Sequence, residues 1–146
     1  MPPVSTSTAP GGSRPIDRTV RTAADPGTAW RTITEPERIV LWFSDASPLG
    51  PVGSPYRIDF GDGSIVTGMV LALEPGRRFA HTWSWDGADP GDVTRVEWSV
   101  TPLPDGGSLV QLVHDGWETA GGTARDDHDG YWAGYLDDLG DVLGGS

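Results

Sequence analysis

Two histidines have neighbours that suit proton transfer. His81 lies in the run 77–85, where Phe79, His81, Trp83 and Trp85 alternate with Arg78, Ala80, Thr82 and Ser84. His114 ends the run 108–114 in phase with Val110 and Leu112. Period-two alternation puts each set on one face of a strand, so both imidazoles are expected to face inward as the only basic-capable groups there. An imidazole titrates near pH ~6.5, which suits general acid–base work. The competing expectation is a structural histidine bonded to a neighbour or to loop backbone. That role is natural for His114, which ends its strand beside Asp115 and Gly116.

The run Asp126, Asp127, His128, Asp129 superficially resembles a set of oxygen and nitrogen metal ligands. Consecutive residues at a helix start point in different directions, and the spacing matches no calcium loop or zinc helix. Carboxylates at the positive end of a helix dipole explain the acids, so no metal is expected. The acidic loop 86–92 lacks the regular odd-position oxygens and terminal Glu of a calcium hand, and reads as a solvated loop. No Gly-x-Ser-x-Gly, phosphate-cradling loop or dinucleotide fingerprint is present, and no cofactor is expected. Cysteine is absent, so disulfides and thiolate chemistry are excluded.

The 146 residues suit one domain that buries roughly two-thirds of its unfolded surface. Seven of them are Trp, and that many large flat side chains need either a thick core or a cavity to line. The net charge of −11, from ten Arg, no Lys and 21 acids, repels phosphates and anionic lipid. Nucleic-acid and membrane partners are therefore not expected. No apolar stretch reaches the ~18 residues of a membrane span. Residues 1–14 are Pro, Ser, Thr and Gly without an apolar signal region, which predicts a disordered leader before a single domain over 15–146. A cytoplasmic location is expected.

Periodicity supplies the elements that must position these groups. Residues 16–22 alternate as a partly exposed first strand. Asp25-Pro26 starts a short helix with Ala29, Trp30 and Ile33 on one face, and Glu35-Pro36 starts a second carrying Ile39, Val40, Trp42 and Phe43. A Pro/Gly-rich stretch follows over 44–55. Five more strands are predicted at 56–60, 64–73, 77–85, 93–101 and 108–114, joined by turn residues such as Gly61-Asp62-Gly63 and Pro104-Asp105-Gly106-Gly107. Short turns in series imply an antiparallel meander. Residues 125–143 form a final helix with Trp132, Tyr135, Leu136, Leu139, Val142 and Leu143 on one stripe. Which parity of 65–73 faces inward stays open.

The order of elements, and several local motifs, resemble the START-like, Bet v 1-like superfamily. The closer resemblance is to bacterial relatives of the Hsp90-ATPase activator C-terminal domain. It spans Ile16 to Leu143 and rests on Ala24-Asp25-Pro26-Gly27-Thr28-Ala29-Trp30, Thr34-Glu35-Pro36-Glu37 with Trp42, Val52-Gly53 and Gly68-Met69-Val70. Further matches are Glu74-Pro75-Gly76-Arg77-Arg78-Phe79 with Thr82-Trp83, His114-Asp115-Gly116-Trp117, and Trp132 with Leu136 and Leu139. Two positions depart from the family pattern: Tyr131 stands where a Gly often precedes the helix Trp, and Ser54 replaces a second Gly after Gly53. The resemblance implies an α+β helix-grip fold. A curved antiparallel sheet of about six strands follows two short N-terminal helices, and a long C-terminal helix packs over the concave face.

It also implies a cavity between sheet and helix. The residues expected to bind a ligand there are Trp42, Phe43, Phe79, His81, Trp83, Trp98, Leu112, His114, Trp132, Tyr135 and Leu139. The first functional expectation is non-enzymatic binding of a small apolar or aromatic molecule by a monomer or homodimer. Sequestering a toxic metabolite would belong to this class. The second is an enzyme similar to polyketide cyclases and aromatases, with His or Tyr moving protons. The third is a protein-interaction module similar to a co-chaperone. Fold alone does not choose among them.

Overall fold

The computed structural model describes residues 14–87, 93–117 and 124–144. The expected leader, apart from Arg14, and most of the 86–92 loop lie outside the described residues. The elements run β1 (Ile16–Thr22), α1 (Pro26–Thr34), α2 (Pro36–Ile39), β2 (Asp45–Ala46), β3 (Pro55–Asp59), β4 (Ile65–Glu74), β5 (Arg78–Trp85), β6 (Thr94–Pro102), β7 (Ser108–Asp115) and α3 (Ala124–Gly144). The strands form one curled antiparallel sheet in the order β1-β7-β6-β5-β4-β3-β2. α3 lies across its concave side, with Trp132, Leu136, Leu139 and Leu143 buried. This is an α+β helix-grip architecture.

The sheet has seven strands rather than about six. The extra strand, β2, is two residues long and pairs Asp45 with Asp59 and Ala46 with Ile58. Two residues cannot display a period, and Ser, Pro and Gly surround them. α2 also ends earlier than expected, at Ile39; Val40 and Leu41 turn outward, while Trp42 turns inward and donates from Nε1 to the Thr32 carbonyl at 2.9 Å.

Rows of side chains cross the concave face. His81 of β5 is opposite Val96, which is opposite His114; the next row runs Phe79, Trp98, Leu112. In β4, Val66 and Val70 are buried, and a register irregularity between Val70 and Ala72 then brings Leu73 opposite Phe79. Gly68 permits a close approach of β4 to β5, since a Cβ there would lie only 1.9 Å from the Thr82 carbonyl oxygen.

α3 draws its stability from packing. Gly134 and Gly140 each cost about 1 kcal/mol relative to Ala. Burial of Trp132, Leu136, Leu139 and Leu143 contributes about 2 kcal/mol per side chain. Arg18 of β1 adds a polar tie, donating from Nε to Asp129 Oδ1 at 2.7 Å, and this bond holds the Asp129 carboxyl below its usual range.

Candidate functional site

The interior between sheet and α3 is nearly filled. Trp98 meets Trp42 at 5.7 Å and Trp132 at 5.8 Å between ring centroids, and Trp83 meets Trp132 at 5.4 Å. The space left among Trp42, Tyr56, His81 and Trp98 is about 10 Å³, the size of a single water. The cavity expected here is therefore displaced. A cleft of about 570 Å³ opens instead at one end, between the start of α3, the end of β5 and the β3–β4 turn. Phe43, Trp83 and Trp132 belong to the walls of both spaces.

Local sequence explains each wall of the cleft. β5 alternation turns Trp83 inward and leaves Trp85 half-buried at the strand end. The β3–β4 turn supplies Phe60, Asp62 and Ser64. Gly61 and Gly63 adopt φ of 84° and 96°, a left-handed conformation that favours glycine. Within that turn Asp62 Oδ1 accepts from the Ser64 backbone N–H at 2.9 Å, and this bond holds the Asp62 carboxyl below its ordinary range. α3 supplies Asp127, His128, Tyr131, Trp132 and Tyr135, which share one side of the helix. Phe43 is the partition: its ring stacks on Trp42 at 5.2 Å and on Trp132 at 5.3 Å, and meets Tyr135 edge-on at 4.7 Å. Burial raises the Tyr135 pKa, so its phenol stays neutral.

Of the residues expected to bind a ligand, Phe43, Trp83, Trp132 and Tyr135 line the cleft. Trp42, His81 and Trp98 face only the small void, and Phe79, Leu112, His114 and Leu139 line neither space. The cleft also recruits Phe60, Trp85, His128 and Tyr131. His128 corrects the expectation that His81 and His114 are the only inward-facing basic groups. Its Nε2 accepts from Trp85 Nε1 at 2.9 Å, and its ring lies 4.9 Å from Trp117. The signal was present in the sequence, because His128 precedes Trp132 by four residues and so shares its helix face. Asp129 turns away to Arg18, so this run diverges, and no metal-sized cluster occurs among the described residues.

His114 is fully engaged. Its Nδ1 accepts from Trp132 Nε1 at 3.0 Å, which requires the proton to sit on Nε2. Nε2–H then donates to Thr94 Oγ1 at 2.7 Å, and that hydroxyl donates onward to the Trp83 carbonyl at 3.3 Å. Burial, then the neighbouring His128 and His81, pushes the His114 pKa well down. His81 donates from Nδ1 to the Thr82 carbonyl at 2.8 Å, and burial lowers its pKa to about 4. Both rings are neutral structural groups at neutral pH. By contrast, Trp83 Nε1 is buried without a hydrogen-bond partner among the described residues.

A family model described as Activator of Hsp90 ATPase homolog 1-like protein matches residues 23–144. The chain belongs to this family. Solved structures share its fold. MLL2253 from Mesorhizobium loti superposes with a TM-score of 0.80 at 23% identity, over 89% of this chain and 96% of that one. CalU16 from Micromonospora echinospora gives 0.74 at 26% identity, over 88% and 75%. DynU16, from the dynemicin biosynthetic locus, gives 0.79 at 24% identity over 88% of this chain, which spans only 46% of DynU16. No curated protein matches the sequence. Among the described residues no helix is long and apolar enough to cross a membrane.

Proposed function

We propose that this family member binds a small planar aromatic molecule in the end cleft without transforming it. The observation that carries this reading is the contrast in one aromatic cluster, whose interior is packed to about 10 Å³ while its end stays open at about 570 Å³. The open volume falls within the range of small-molecule sites. The rings of Trp85, Tyr131, Tyr135 and Phe60 belong to its walls, which suits a flat guest. Acid–base catalysis by His81 or His114 draws no support from this geometry, since neither ring reaches the cleft and both are held neutral.

Titration of intrinsic tryptophan fluorescence with a panel of planar bicyclic and tricyclic compounds tests the reading. Saturable quenching is expected, weakened about tenfold in Trp85→Ala. An unsaturable response across the panel, or saturation unaffected by Trp85→Ala, would overturn it.

A further inference from the structure

Two features of the cleft favour positive charge, against the opposing positive end of the α3 dipole. Ring faces carry the negative lobe of the aromatic quadrupole, and Trp is the strongest of these platforms. Carboxylates enter the lining from two separate elements, Asp62 from the β3–β4 turn and Asp127 from the first turn of α3. No arginine belongs to that lining among the described residues. Arg18 and Arg125 are paired with Asp129, Arg78 with Glu74 and Glu97, and Arg95 with Glu97. The sequence contains no Lys. His128 is engaged within that wall, its Nε2 accepting the Trp85 N–H. The chain as a whole carries −11.

Resting on the cleft being a ligand site, we propose that it selects a planar aromatic cation, such as an N-alkylated heteroaromatic ring or a ring bearing an ammonium group. A delocalised cation can stack between Trp85 and the tyrosines while its positive charge faces Asp62 and Asp127. It also has less hydration to lose on entering than a compact ammonium ion. An aromatic anion meets repulsion from both the carboxylates and the ring faces. A neutral ring gains only stacking.

Three probes with the same bicyclic frame separate these cases: N-methylquinolinium, quinoline and quinoline-2-carboxylate, titrated calorimetrically into the full chain at neutral pH and low salt. The cation is expected to bind about tenfold more tightly than quinoline, with the carboxylate weakest. In the double variant Asp62→Asn, Asp127→Asn the cation-to-neutral ratio falls toward one. Asp105→Asn, which removes one charge away from the cleft at the β6–β7 turn, leaves the ratio unchanged. Quinoline binding as tightly as N-methylquinolinium would overturn the charge selection while leaving the aromatic site in place. A ratio that ignores the double variant would overturn the role of the two carboxylates. Absence of binding by all three probes would remove the site itself, and this inference with it.

Discussion

The inner and outer halves of the aromatic cluster use the same residue types for opposite ends. In the inner half, Trp98 meets both Trp42 and, on α3, Trp132, each at most 4% exposed. In the outer half, Trp85, Phe60 and Tyr135 also touch, with Phe60 5.3 Å from Trp85 and 6.3 Å from Tyr135, yet their far faces border open space. The difference is positional. Where α3 crosses the middle of the sheet, facing side chains interdigitate. Between its first turn and the β3–β4 turn, Phe60 meets Tyr135 and Trp85 meets His128, and the remaining side chains leave the space between them open. Indole abundance alone therefore does not make a cavity; the placement of the elements around it does.

The sharpest way to break this contrast is to truncate one ring from each half. Trp98→Ala removes an enclosed side chain and is expected to destabilise the fold by about 4 kcal/mol. Trp85→Ala, half-buried at the rim, is expected to cost much less stability while weakening ligand binding. Urea unfolding measures the first effect and fluorescence titration the second. Equal losses of stability would mean that the two halves are energetically one core.

The inward faces of the inner half are legible in the sequence because β6 alternates throughout and β5 departs from alternation only at buried Ala80. In β5 and β6 the polar partners Arg78, Thr82, Arg95 and Glu97 separate one face from the other. β4 gave no such contrast: Ile65, Val66, Met69, Val70, Leu71 and Leu73 supply apolar groups to both faces, and the register irregularity after Val70 changes the inward parity within the strand. His128 was obscured by its acidic neighbours, whose dipole chemistry accounts for Asp126 and Asp127 but says nothing of the histidine between them and Asp129. The cleft itself was not legible, because its volume depends on how far the 60–64 turn stands from α3, a distance no periodicity encodes.

Acid should separate the halves next. A histidine whose folded pKa lies below its unfolded value binds fewer protons when folded. Its stabilisation is complete above the unfolded value near ~6.5 and is lost as pH falls toward the folded value. For His81, with a folded pKa of about 4, that window runs from ~6.5 down to about 4, and the loss across it amounts to about 3 kcal/mol. His114, also lowered by burial, adds in the same direction. Relief of repulsion among the acids of this −11 chain opposes the trend, so the informative quantity is a difference. Stability measured from pH 7 to 4.5 should fall more steeply in the native protein than in His81→Gln; parallel curves would show that the His81 ring is not held neutral.

The finest test compares two indoles that share a wall. Trp83 and Trp132 lie 5.4 Å apart, both nearly inaccessible, and Phe at either position removes a similar volume. Their N–H groups differ: Trp132 Nε1 donates to His114 Nδ1, whereas Trp83 Nε1 has no partner among the described residues. Trp132→Phe leaves a buried acceptor unpaired and loosens the chain that continues through Thr94 to the Trp83 carbonyl. It is expected to cost about 1–2 kcal/mol more than Trp83→Phe in paired urea titrations. Nitrogen NMR of the His114 ring should show the Nε2–H tautomer in the native protein and in Trp83→Phe, with that preference lost in Trp132→Phe. Equal stabilities together with an unchanged tautomer would mean that the Trp132–His114 bond does not organise the inner half, and that close packing alone keeps it shut.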